Sequence, residues 1–158
     1  MPGQVVIVMG SKSELEHARK IAAQLEDFGI PHSLRVASAH KSVRHLLEIL
    51  DQYKDPDDTV VFVAVAGRSN SLAGVIDANT AHPVITCPPI SATFAGADIY
   101  SSLRMPSGVA PMVVLDPRGA ALAAAKVLGL SDPALRARVA AYQASMTEDI
   151  VAADKSLS

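Results

Sequence analysis

Val60-Val61-Phe62-Val63-Ala64-Val65 is an unbroken apolar run, rich in β-branched residues, that stops at Ala66-Gly67. So short a run without alternation reads as a strand covered on both faces, the situation of a parallel sheet between layers of helices. Gln4-Val5-Val6-Ile7-Val8-Met9, ending at Gly10, repeats the pattern. Leu34 and Val36 mark a shorter strand, Pro83–Thr86 a fourth and Pro111–Leu115 a fifth.

Helical patterns fill the intervals. Leu15, Ala18, Ala22, Leu25 and Phe28 recur at helical spacing and meet a stop at Gly29 with Pro31 beyond it. Val43, Leu46, Leu47 and Leu50 form a second apolar face, and Asp55-Pro56-Asp57-Asp58 is a surface turn. Helices are expected over Leu72–Asn79, Ala95–Leu103 and Ala120–Leu128, with a last one from Pro133 to about Ala153. Its apolar stripe (Leu135, Val139, Tyr142, Met146, Ile150) would meet this sheet or a neighbouring subunit. Alternation of this kind implies right-handed crossovers. The expected fold is α/β: a flavodoxin-like three-layer sandwich with a five-stranded parallel sheet in the order 2-1-3-4-5 and a C-terminal helix. Residues 1–158 read as one domain.

Composition excludes several function classes. With 49% hydrophobic and 19% charged residues the chain is not a disordered one. A net charge of −2, no Lys/Arg-rich run and only 4% aromatic residues argue against a nucleic-acid partner. Gln4–Met9 is too short to span a bilayer, and no basic segment or cleavage pattern stands at the N-terminus, so a cytoplasmic protein is expected. Cys87 is the single cysteine and cannot form an internal disulfide. It precedes Pro88-Pro89 without a partner motif and reads as a small packed residue.

Three polar turns follow strands and would converge at their carboxyl ends, where open α/β sheets bind ligands. The first, Gly10-Ser11-Lys12-Ser13-Glu14, lacks both GxGxxG and GxxxxGK[ST]. Its free N–H groups and hydroxyls suit a phosphate at a helix start; equally, Ser11 or Ser13 would simply cap that helix. The second, Ser38-Ala39-His40-Lys41-Ser42, sets an imidazole suited to proton transfer near neutrality beside a cation. His17, His32, His45 and His82 read as surface or structural residues, and none has metal-ligand spacing. In the third turn, Gly67 permits a close approach and Arg68, Ser69 and Asn70 offer donors, the alternative being a solvated connection. Arg104 is an anion contact or a surface ion pair.

The stretches VMGSKSE, RVASAHKS, VFVAVAGRSNSLAG, ITCPP and FAGADIYSSLRMPSG, in this order and spacing, resemble the phosphoribosylaminoimidazole carboxylases of the PurE type, second class. The GRSN turn decides the class, since the first class has a GAAHLPG-like turn there. The resemblance implies that carbon dioxide is added to aminoimidazole ribonucleotide (AIR) to give carboxy-AIR (CAIR), without ATP, metal or biotin, so that no cofactor is expected. It implies His40 as the proton-handling group, Gly67 and Ser69 as holding the nascent carboxylate, Lys41, Ser11 and Ser13 as binding the phosphate and Ser38 as orienting the substrate; Gly10, Arg68 and Arg104 join them as substrate contacts on place and residue type. Glu14 stands where the family usually has Asp, at a position matching a ribose-hydroxyl contact. A homo-octamer, or a tetramer, with sites near subunit interfaces is implied as well. A first-class mutase and a non-catalytic phosphoribosyl-binding module are the competing readings.

Overall fold

The computed structural model describes residues 3–157. Its sheet has the order β2-β1-β3-β4-β5, with all four pairings parallel. The strands are β1 (Gln4–Met9), β2 (His32–Val36), β3 (Val60–Val65), β4 (Val84–Thr86) and β5 (Met112–Val113). β1 and β3 have the bounds expected of them. β3 is buried at every position. The reason is visible in β1, where successive side chains take opposite sides of the sheet. Val5, Ile7 and Met9 join one core cluster, and Val6 and Val8 join the other.

Helices α1 (Leu15–Asp27) and α5 (Pro117–Leu128) cover the first side; α2 (Val43–Asp51) and α3 (Ser71–Ala78) cover the second. Ala120, Ala121, Ala124 and Ala125 of α5 are all fully buried. Their small side chains let that helix lie close against its neighbours. α5 starts one turn before the expected Ala120, because Asp116 caps it by accepting the Gly119 N–H (2.6 Å) and Pro117 opens it. In α2, Val43 is exposed at the first position, and Ile49 takes the buried place.

Two expectations need correction. Ala95–Leu103 is not one helix: 3-10 turns at Ala92–Phe94 and Ala97–Ile99 precede a short α4 (Tyr100–Leu103). Ala95 and Gly96 between them have φ of 49° and 82°, which no right-handed helix accommodates. β5 is also shorter than Pro111–Leu115, pairing only with Ile85 and Thr86 of the three-residue β4.

The last helix, α6 (Pro133–Ser156), docks by its first half only. Leu135 and Val139 are buried, and Tyr142 meets Phe28 edge-on with centroids 5.2 Å apart. Met146 and Ile150, on the same stripe, are exposed, Ile150 by 73%. No helix among the described residues is long and apolar enough to cross a membrane.

Candidate active site

The sheet delivers three chain ends to one place. The Ala37 N–H donates to the Met9 carbonyl and the Gly10 N–H to the Val65 carbonyl, carrying strand registration past β1, β2 and β3 into the turns. The turns enclose a cavity of about 600 Å³ at the β1/β3 switch point, where the strand order reverses. From the first turn it is lined by Gly10, Ser11, Ser13 and Glu14, and from the second by Ser38, Ala39, His40 and Lys41. Ala66, Gly67, Arg68 and Ser69 come from the third, and Pro89, Ile90 and Ser91 close the side beyond β4.

Each turn is held by its own polar groups. Ser11 does cap: its hydroxyl accepts from the Ser13 N–H (3.3 Å) and the Ser13 hydroxyl (3.0 Å), and both serines still face the cavity. Capping therefore leaves both side chains at the cavity wall. In the second turn, the Ser38 N–H donates to Ser42 Oγ (2.8 Å) and the Lys41 N–H to Ser38 Oγ (3.1 Å). His40 is exposed at the tip, and its Nε2 lies 3.0 Å from Ser71 Oγ at the start of α3.

The third turn is tied from three directions. A Cβ on Gly67 would come within 2.8 Å of the Pro89 carbonyl oxygen, so the residue must be glycine. The Gly67 N–H donates to Glu14 Oε1 (3.0 Å), the Arg68 N–H to Asp98 Oδ2 (3.3 Å), and the Asn70 N–H to Ser101 Oγ (3.0 Å). Arg68 takes a left-handed φ of 60°, costly for a residue with a side chain. The Ser101 hydroxyl donates to its carbonyl (3.1 Å) and helps hold it there. Among the described residues, Ser69 alone in Gly67–Asn70 has an N–H without an acceptor, and its hydroxyl is also unpartnered. Beneath, Asn70 is only 3% exposed. Its amide donates to Thr86 Oγ1 (2.7 Å) and Ser102 Oγ (2.9 Å), and its oxygen caps α3 by accepting the Ala73 N–H (3.2 Å).

Arg104 is the one expected contact not brought to this cavity. It ends α4, its Nε donates to the Tyr100 carbonyl (3.3 Å), and it lines a neighbouring cavity of about 640 Å³. Glu14 lines the main cavity, but its oxygens accept from Ser11 N–H (2.9 Å) and Gly67 N–H. Ser71, Asp98 and Ser101 were not picked out by sequence reading. The available signal for Asp98 was a lone carboxylate in an otherwise small and apolar stretch.

His17, Cys87, His82 and His32 serve packing. His17 Nε2 lies 3.1 Å from the Cys87 carbonyl and 3.4 Å from its sulfur, and burial lowers the His17 pKa. Burial pushes the Cys87 thiol up to about 12, consistent with a packed and inert residue. His82 bonds the Tyr53 carbonyl (2.9 Å) and His32 the Ile30 carbonyl (3.2 Å), which satisfies both. Among the described residues no group of three His, Cys, Asp or Glu side chains is placed to hold a metal.

A flavodoxin-like sheet with a polar, imidazole-bearing cavity at its switch point defines the class: an α/β protein with a small-molecule site at the carboxyl edge of its strands. The family model for AIR carboxylase matches residues 4–149. Phosphoribosylaminoimidazole carboxylase of Archaeoglobus fulgidus is 53% identical over 154 residues, 98% of this chain and 84% of its own. The protein of that name from Treponema denticola is 45% identical over 153 residues, covering 97% and 96%. A crystal structure of Treponema denticola PurE superposes with a TM-score of 0.95 at 44% identity, over 98% of both chains. The chain belongs to the AIR carboxylase family, carboxy-lyases of purine biosynthesis.

Proposed function

We propose that this chain carboxylates AIR with carbon dioxide, reversibly and without ATP, and that His40 carries the proton. The observation that supports this most is the single cavity in which His40 faces both the serine-rich first turn and the Gly67–Ser69 turn. The aminoimidazole ring is an enamine whose unsubstituted carbon attacks carbon dioxide. A carbon–carbon bond forms, one C–O π pair moves to oxygen, and the attacking ring carbon briefly bears both hydrogen and carboxylate. His40 takes that hydrogen as a proton, the C–H pair restores the aromatic ring, and CAIR results. In reverse, His40 returns the proton and carbon dioxide leaves.

Positioned acid–base groups contribute ~10²–10⁴-fold. Carbon dioxide has little surface to grip, so orientation against the ring supplies much of the rest. The Ser69 N–H and hydroxyl are the donors left open for the nascent carboxylate, with the Gly67 backbone and the exposed Arg68 guanidinium beside them. Lys41, Ser11 and Ser13 hold the phosphate at Gly10, and Ser38 orients the substrate. The chain works as one domain in the cytoplasm and assembles as a homo-octamer, a reading supported by the exposed Met146 and Ile150 of α6.

The test is an ATP-free assay of CAIR decarboxylation. The purified protein is expected to turn CAIR over, and His40→Asn to lose at least ~10²-fold in kcat while still binding ligand. Activity only on N-carboxylated AIR would favour the mutase instead. Binding without turnover would favour the non-catalytic module.

A further inference from the structure

We propose that Glu14 is a positioning residue that couples the phosphate turn to the carboxylation turn. The inference rests on the reading of Ser11 and Ser13 as the phosphate site. Two observations carry it.

Glu14 closes a capping box on the 3-10 turn Lys12–Glu14 that leads into α1, with Oε2 accepting the Ser11 N–H at 2.9 Å. A capping box needs only that one oxygen. The other oxygen reaches across the sheet edge to a residue 53 positions away, accepting the Gly67 N–H at 3.0 Å. On the side where a Cβ would stand, Gly67 is closed off by the Pro89 carbonyl oxygen, 2.8 Å from that position. The third turn is thus clamped between Pro89 and Glu14, and the clamp's other end is the backbone of the phosphate turn. One carboxylate spans both with bonds of charge-assisted type.

The length of the side chain matters. Both amides are met by one rigid carboxylate, so a side chain one methylene shorter cannot reach both from the same backbone position. An amide of equal length offers one acceptor oxygen and must turn N–H toward the second amide. When phosphate settles on Ser11 and Ser13, the Ser11 backbone is fixed, and through Glu14 so is Gly67, next to the open Ser69 donors. The 5′-phosphate of the substrate then contributes to turnover as well as to binding.

The experiment compares kcat and KM for CAIR, its dephosphorylated nucleoside and its 2′-deoxy and 3′-deoxy analogues in wild type, Glu14→Gln and Glu14→Asp. In the wild type, removing the phosphate is expected to lower kcat as well as raise KM. In both variants kcat on the nucleotide should fall ~10- to 10²-fold, the cost of a misplaced reacting group, and removing the phosphate should then change kcat less than about twofold. A deoxy penalty that disappears in the variants, with kcat near wild type, would make Glu14 a ribose ligand and overturn the proposal. So would a phosphate effect on kcat that survives in Glu14→Gln.

Hydrogen exchange on the wild-type protein gives a readout that needs no variant. The Ser11 and Gly67 amides are expected to be protected together and to gain protection together on adding inorganic phosphate. Free exchange at Gly67 refutes the clamp. Failure of the carboxylase reading is seen separately, in His40→Asn turnover, which leaves these amides untouched.

Discussion

Replacing Asn70 with alanine should destabilise the protein by about 3 kcal/mol, and the structure says where each part comes from. Asn70 caps α3 through the Ala73 N–H, and loss of an Asn cap costs about 1 kcal/mol. Its amide makes two further bonds, to Thr86 and Ser102, in a place that is 3% exposed. Each such bond contributes about 1 kcal/mol net, and alanine leaves no donor for either hydroxyl. For a chain of this length, 1 kcal/mol shifts the unfolding midpoint by about 2–4 °C, so the expected fall is about 6–12 °C. Asn70→Ser separates the contributions. A serine keeps a cap oxygen for α3 but is too short to span to Thr86 and Ser102, so it should recover about 1 kcal/mol of the loss. Differential scanning calorimetry at one fixed protein concentration measures all three forms, because the proposed assembly would make the midpoint concentration-dependent. A midpoint for Asn70→Ala within about 3 °C of wild type would show that the buried amide bonds add nothing, and the accounting above would be wrong.

Other expectations follow from single contacts. Gly67→Ala drives a Cβ to 2.8 Å from the Pro89 carbonyl oxygen, and the displaced turn should cost ~10²-fold in kcat; Gly10→Ala, with nothing closer than 3.5 Å, should lose much less in the same assay. Ser71→Ala removes the hydroxyl bonded to His40 Nε2, worth about 0.5–1.5 kcal/mol, so kcat should fall about 2- to 12-fold at constant KM; an unchanged kcat refutes an orienting role. Cys87 should resist alkylation at pH 8 about 10³-fold more than an ordinary thiol, since its pKa of about 12 lies three units above 9.0; labelling with and without denaturant measures this. Because the unfolded thiol releases its proton first, Cys87 should also make stability fall as pH rises from about 9 toward 12.

What was legible in the sequence follows from what repeats. β1 and β3 could be read to the residue because burial on both faces leaves no polar position inside the strand and a glycine or small polar residue just outside it. The first and third turns could be located for the same reason, each lying at the end of a buried strand; the second follows the half-exposed edge strand β2 and was marked by its own residues, His40 and Lys41. Ala95–Leu103 was misread because its small and apolar residues fit a helical period, while the left-handed pair Ala95 and Gly96 depends on tertiary contacts. Arg104 was grouped with the cavity on residue type alone. The turn of α4 that carries it points it to the next cavity, and nothing in its spacing records that.

Side chains that act by holding backbone are the hardest to see. Glu14, Asp98, Ser101 and Asn70 each answer an amide or hydroxyl of the third turn or its neighbours, and all but Asn70 do so from another part of the chain. Asp98 is the sharpest case. It is 9% exposed, one oxygen accepts from the Arg68 and Ser91 N–H groups, and the other has no partner. A buried carboxylate oxygen left without a donor is costly, so the contacts of its partner oxygen must outweigh it. Those contacts are the ones that fix Arg68 in its left-handed conformation and bring Ser91 to the cavity wall. The stability surrendered at Oδ1 and at the Arg68 backbone is therefore concentrated in the loop whose shape decides which N–H stays open. Occupying the amides of Gly67, Arg68 and Asn70 leaves that of Ser69 open in this turn, at the cavity that His40 also lines.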